Sequence, residues 1–159
     1  MAIELKDDLP AMTPQAAAHA MKTYQEICRS MLDASDYAEI AGKKYKKRSA
    51  YRKLARAFSI SDEIIKEIRE DIGPKEFIWR IHVKAFAANG RAAIGVGACS
   101  TRERAFAHLD HDVYAIAHTR AKNRAISDLI GSGEVSAEEI EEPKQASSFH
   151  EFKDGKLVK

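Results

Sequence analysis

Apolar positions recur along this chain with two periods, one near three and a half and one of two. Thr13-Pro14 places a hydroxyl at a helix N-cap and proline at the first helical position. Ala17, Ala20, Met21, Tyr24, Ile27, Cys28, Met31 and Leu32 follow at three- and four-residue spacing, which predicts an amphipathic helix over residues 14–33 that packs on a sheet. Tyr37 to Tyr45 reads as a short hairpin turning at Ala41-Gly42. Ser49 is placed to cap a second helix. Its apolar face holds Ala50, Tyr51, Leu54, Ala57 and Phe58, and its other face holds Arg48, Arg52, Lys53 and Arg56. In residues 62–72 the spacing of Ile64, Ile65, Ile68 and Ile72 suits a helix, but their β-branched side chains favour a strand, and a strand is the reading adopted.

Residues 76–101 carry the clearest alternation. Asn89-Gly90 is the preferred pair for a two-residue type I′ turn. Such a turn sets Ala88 opposite Arg91, Lys84 opposite Gly95, His82 opposite Gly97 and Arg80 opposite Cys99. The core face would then carry Trp79, Ile81 and Val83 with Val96, Ala98 and Ser100. The outer face would set Arg80, His82 and Lys84 beside bare glycine backbone, leaving room for a phosphate chain to lie close; the alternative is a solvated face with glycines at a bulge. A last strong helix is predicted from Asp110 to Ile130, with Val113, Ile116, Ala117, Ala121, Ala125, Leu129 and Ile130 as its stripe and Arg120, Lys122, Asn123 and Arg124 in its middle. Gly131 ends it. The sequence therefore predicts one α+β domain over residues 1–133, followed over 134–159 by an acidic flexible tail with a short docking segment at its end.

Charge changes this picture more than composition does. The chain nets +2, yet residues 42–61 hold eight basic side chains and no acid. Local positive charge interleaved with Tyr45 and Tyr51 is the composition that a polyanion with exposed bases selects. A lysine-rich solvated surface is the other reading. No apolar run approaches the roughly 20 residues needed to span a bilayer, so no membrane association is expected. The first residues lack the basic start and apolar stretch of a signal peptide, and Cys28 and Cys99 follow no paired spacing. These point to a cytoplasmic protein with reduced thiols.

Three stretches carry a resemblance. Ile40 to Phe58, with its Gly42-Lys43-Lys44-Tyr45-Lys46-Lys47-Arg48 run, resembles the short hairpin and following helix of the single-strand DNA annealing superfamily, meaning the eukaryotic Rad-fifty-two recombination mediator and its phage and archaeal relatives. Asn89 to Cys99 is similar to that family's β-hairpin with a glycine-rich return strand. Ala117 to Ile126, followed by Gly131, is similar to its basic helix. Together they fall within residues 37–131. The resemblance implies an α-β-β-α-β-β-β-α order with a β-β-β-α core, an antiparallel sheet packed on helices, self-association into rings or filaments, and a basic groove holding single-stranded DNA by its backbone with the bases turned outward. Lys44 matches a groove-lining basic position and Arg124 a basic position of the later helix. Asn123 and Ser127 depart from the lysine and arginine of the eukaryotic members, which lowers the charge on that side.

The candidate groove comprises Lys43, Lys44, Tyr45, Lys46, Lys47, Arg48 and Arg52 on one wall, and Arg80, Lys84, Arg120, Lys122, Asn123 and Arg124 on the other. Strand annealing in recombination or repair needs charge and free base edges but no covalent chemistry, so no catalytic residue and no cofactor is expected. A recombinase or a single-strand binding protein is the partner class such a role implies. The alternatives are a nucleic-acid-coating or filament protein without annealing activity and, less favoured, a metal-dependent nuclease using Asp110, His111 and Asp112. His108, His111 and His118 with Cys99 do not match a zinc spacing. Trp79 reads as packing rather than base stacking, which leaves Tyr45 as the stacking candidate.

Overall fold

The computed structural model describes residues 12–131 and 136–140, together with the backbone of two short strands at 152–153 and 156–157. The fold is α+β with antiparallel sheets. The chain divides into two compact units, Met1–Asp33 and Ala34–Lys159.

The first unit contains helix α1 (Pro14–Met31). Thr13 caps it as expected, its Oγ1 accepting from the Ala16 amide at 3.1 Å. No residue of α1 is buried.

The second unit opens with a single 3-10 turn at Ala34–Asp36, then β1 (Tyr37–Ile40), β2 (Lys43–Lys46) and α2 (Arg48–Ala57). Strands β1 and β2 pair antiparallel, Ile40 opposite Lys43. Ala41 and Gly42 have φ of +50° and +78°, the two left-handed residues that a tight primed turn requires. Helix α2 begins one residue before the predicted cap. Lys47, not Ser49, is the N-cap and makes no side-chain capping bond; the Arg48 amide donates instead to the Glu138 carboxylate at 2.6 Å. Buried Tyr51, Leu54 and Ala55 turn α2 into the core.

A three-stranded sheet follows in the order β3 (Ile60–Gly73), β4 (Glu76–Ala87), β5 (Ala92–Ser100). The stretch that was ambiguous by periodicity is thus strand β3. It has irregularities at Ile64/Lys66 and Asp71/Gly73, which is why its isoleucines do not alternate cleanly. Helix α3 (Leu109–Ile130) lies across β4 and β5, and one turn, α4 (Ala137–Ile140), packs on α3 and β1. Short strands β6 (Phe152–Lys153) and β7 (Lys156–Leu157) pair antiparallel. Residues 136–140, predicted to lie in a flexible tail, are therefore built into the fold, with Ser136 and Ala137 at 0% and 1% exposure. The remainder of the predicted tail and its docking segment falls largely outside the described residues.

The β4–β5 register differs from the predicted one by a single residue. Val83 opposes Gly95, Ile81 opposes Gly97 and Trp79 opposes Cys99. The loop is Ala88-Asn89-Gly90. The Gly90 amide donates to the Ala87 carbonyl at 3.0 Å, the Ala87 amide to the Arg91 carbonyl at 2.9 Å, and the Arg91 amide to Asn89 Oδ1 at 3.1 Å. Gly90 sits at φ +86°, the left-handed third position of a three-residue hairpin loop. Because side chains alternate, that one-residue shift moves the whole of β5 to the opposite face. Gly95, Gly97 and Cys99 face the core, while Val96 and Ala98, predicted inside, point out.

The reason lies in α3. A Cβ on Gly95 would sit 2.2 Å from the Ala121 carbonyl oxygen, and one on Gly97 2.2 Å from that of Ala117. The glycines admit the helix backbone, not a ligand. Ala117, Ala121 and Ala125, all fully buried, complete this close approach, with Ile81, Val83, Val113 and Ile126 packed around them.

Candidate nucleic-acid interface

The basic run divides by what its side chains touch. Lys46 is largely buried, its ammonium 5.8 Å from the centre of the Tyr37 ring. Lys47 donates to the Ser35 carbonyl at 3.2 Å. Lys53 forms a 2.6 Å ion pair with Asp36, a carboxylate only 1% exposed. A buried acid needs such a partner, so Lys53 ties α2 to the turn before β1, Lys47 is fastened to the same turn, and Lys46 lies across the hairpin. Lys43, Lys44, Arg48, Arg52 and Arg56 are exposed, and among the described residues none of their side chains makes an ion pair. Tyr45 is half-buried beside them, whereas Tyr51 is core. The exposed cations of β2 and α2 are of the expected sign, and Arg48, Arg52 and Arg56 recur at four-residue spacing along α2.

The middle of α3 is more committed. Glycine packing brings the Cβ atoms of Arg120 and Arg124 against β5, at 2.9 and 3.0 Å from the positions that Gly97 and Gly95 would need for a side chain. From there both guanidiniums reach over the open edge of β5. Arg120 donates to the Ala98 carbonyl at 2.7 Å and Arg124 to the Val96 carbonyl at 2.8 Å, satisfying edge acceptors that no further strand pairs among the described residues. Arg120 also forms a two-pronged pair with Glu103, at 3.0 and 2.9 Å, and donates to the Glu138 carbonyl at 3.0 Å. Burial pulls its pKa down, but the bond and charge of Glu103 outweigh this and hold it above the ordinary value. Arg124 pairs with Glu139. Asn123, 1% exposed, donates to Glu138 at 3.1 Å.

The predicted groove is not assembled as one. Arg48 does meet Arg120 and Arg124: all three line an open cavity of about 690 Å³, with Arg104, Glu103, Glu138 and Glu139. Arg80 and Lys84 belong to the opposite face of the sheet from α3, since the alternate positions Ile81, Val83 and Ala85 are the buried ones. Arg80 pairs there with Glu70 at 2.5 Å. Lys122 points to the start of β3, pairing with Asp62 at 2.9 Å. Arg104 was missed by sequence reasoning because residues 101–108 carry no periodic signal, and Glu138 because it lay in a stretch read as tail.

Other titratable groups lie elsewhere. His118 is half-buried with an unbonded Nε2. Burial and then the Lys122 charge depress its pKa. Tyr114 donates to Glu67 and packs edge-on against Trp79 at 5.2 Å; the Glu67 bond raises its pKa to about 12. Trp79 is thus a packing residue. Cys99, buried on β5, is pushed to about 11 chiefly by burial, so its thiol is neutral and unreactive. His111 is exposed and pairs with Asp112 at 3.0 Å, whereas His118 faces inward, so the two do not share a site. Among the described residues no three His, Cys, Asp or Glu side chains are placed to hold a metal ion. No described helix is long and apolar enough to cross a membrane.

The chain matches no protein-family model and no curated protein sequence.

Proposed function

We propose that this protein binds single-stranded DNA through the β2–α2 surface and anneals complementary strands, acting as an oligomer in recombination or repair. One observation carries the reading: Lys43, Lys44, Arg48, Arg52 and Arg56 are exposed and make no side-chain ion pair among the described residues, while the other cations of the same run are consumed by the fold. Charge left unpaired on a nearly neutral chain favours a polyanionic ligand. Tyr45, half-exposed within the patch, offers a stacking surface to one base. Backbone capture of this kind ignores base identity and leaves pairing edges free, which is what annealing requires.

The expected outcome is a salt-sensitive gel shift with an oligo-dT strand and faster pairing of complementary oligonucleotides. Lys44→Glu together with Arg52→Glu, both exposed, should abolish the shift without changing the far-ultraviolet circular dichroism. Binding without accelerated pairing would leave only a coating protein. An unchanged shift in the double variant would remove the β2–α2 surface from consideration.

A further inference from the structure

The basic surface already holds two anions, and both belong to the chain itself. Helix α2 starts without a side-chain cap, and its first amide, that of Arg48, donates to Glu138 Oε1 at 2.6 Å. Glu138 Oε2 accepts from the buried Asn123 amide at 3.1 Å. Glu139 accepts from Arg124. Thus two carboxylates sit where the positive end of a ten-residue helix, a buried amide and two guanidiniums converge. Beside them opens the cavity of about 690 Å³, which Arg48, Arg104, Arg120 and Arg124 line against Glu103, Glu138 and Glu139. Without Glu138 and Glu139 the same walls would set four guanidiniums against one carboxylate.

We propose that Glu138 and Glu139 occupy a phosphate site, and that α4 is a displaceable plug which the phosphodiester backbone of a single strand replaces. This deepens the reading given above and rests on it. The donors are arranged for an anion whether or not α4 is present. Arg120 stays anchored to the Ala98 carbonyl and to Glu103, and Arg124 to the Val96 carbonyl, so lifting the plug leaves both guanidiniums in place. What lifting does expose is four donors, the Arg48 amide, the Asn123 amide and the Nε groups of Arg120 and Arg124, which phosphate oxygens can satisfy. The plug itself is one turn of helix, too short to persist without these contacts. Its internal support is the pair of bonds from the Ser136 amide and hydroxyl to Glu139, at 2.9 and 3.0 Å. The β2–α2 cations would then make the first contact with a strand, and the exchange of carboxylate for phosphate would extend it across α3.

The test uses the full chain and an oligo-dT strand. Glu138→Gln with Glu139→Gln keeps shape and removes charge. It should bind about tenfold tighter at low salt, with a logarithmic salt slope steeper by about 1.4, the value for two added phosphate contacts. Glu26→Gln with Asp128→Asn changes net charge equally on other exposed positions and should bind as the wild type does. Equal affinity in all three proteins overturns the plug and leaves the single-strand reading standing. If none binds the strand, that reading falls, and inorganic polyphosphate decides the site. A higher melting temperature for the glutamine variant alone sustains the anion site, and no shift overturns it. A second measurement needs no variant. Amide hydrogen exchange at residues 136–140 of the wild type should quicken when oligo-dT is added, and unchanged or slower exchange overturns the proposal.

Discussion

At the scale of single residues, the fold spends its charges selectively. Lys46, Lys47 and Lys53 differ little in type from Lys43 and Lys44, yet the first three are fastened to Tyr37, Ser35 and Asp36 while the last two are exposed. Alternation on β2 does not set the difference, since Lys44 and Lys46 share a strand face by parity; it is set by which of these side chains reach the segment from Ser35 to Tyr37. His118 shows the same selectivity for protons. Burial lowers its folded pKa below the ordinary 6.5, with Lys122 and Arg48 reinforcing this and Asp62 and Glu67 opposing it. Below 6.5 the unfolded chain therefore binds a proton that the folded chain refuses, and stability falls as pH drops through that range. Urea midpoints between about pH 7.5 and about pH 5.5 should decline in the wild type, and His118→Gln should flatten the decline. Equal slopes would show that His118 is not the group responsible.

At the scale of elements, the decisive contact is α3 on β5. Four small side chains or bare backbones, Gly95, Gly97, Ala117 and Ala121, meet at a spacing that a single methyl group would violate. Gly97→Ala places a carbon 2.2 Å from the Ala117 carbonyl oxygen and 2.3 Å from the Ala121 nitrogen, both backbone atoms that cannot rotate away. The helix must shift, at a cost of about 3 kcal/mol, the upper end for overpacking. Chemical denaturation should show this. A change below about 0.5 kcal/mol, as expected of a surface substitution, would contradict the close approach. The same displacement would draw Arg120 and Arg124 away from the carbonyls of Ala98 and Val96, so it should also weaken single-strand binding. The β5 edge depends on this geometry: its open carbonyls are covered by arginine heads from the helix instead of by another strand.

At the scale of the whole molecule, the proposed function predicts a salt dependence that can be counted. Five exposed cations on β2 and α2, each neutralising one phosphate, give a logarithmic slope of about −3.5 per protomer for a single strand. Lys44→Gln should reduce that slope by about 0.7 and weaken all sequences alike, since a phosphate contact carries no base information. A slope near zero would mean that this surface is solvated and nothing more. Arg80 and Lys84, on the other sheet face, should leave the slope unchanged when replaced by glutamine. Ile94 at 55% exposure and Val96 at 38% lie on that same face, making it apolar as well as basic.

Much of the architecture was legible in the chain. Proline and threonine start α1, glycine ends α3, alternation marks β4, and the β-branched run of residues 60–73 is a strand. These follow from backbone sterics and local periodicity, which act within a few residues. The hairpin turn and the site were less legible, for one physical reason. Asn89-Gly90 suits a two-residue turn and also a three-residue loop, and local energy separates them weakly. The choice is made across the core, where only a glycine face on β5 lets α3 approach. That choice turned the glycines inward and left Arg80 and Lys84 on the far side from Arg120. It also carried the α3 arginines over the sheet edge toward α4. The sequence by itself concentrated the charge on residues 42–61. Which of those charges remained free, and which acids came back to meet the rest, was decided by contacts between residues up to 90 positions apart.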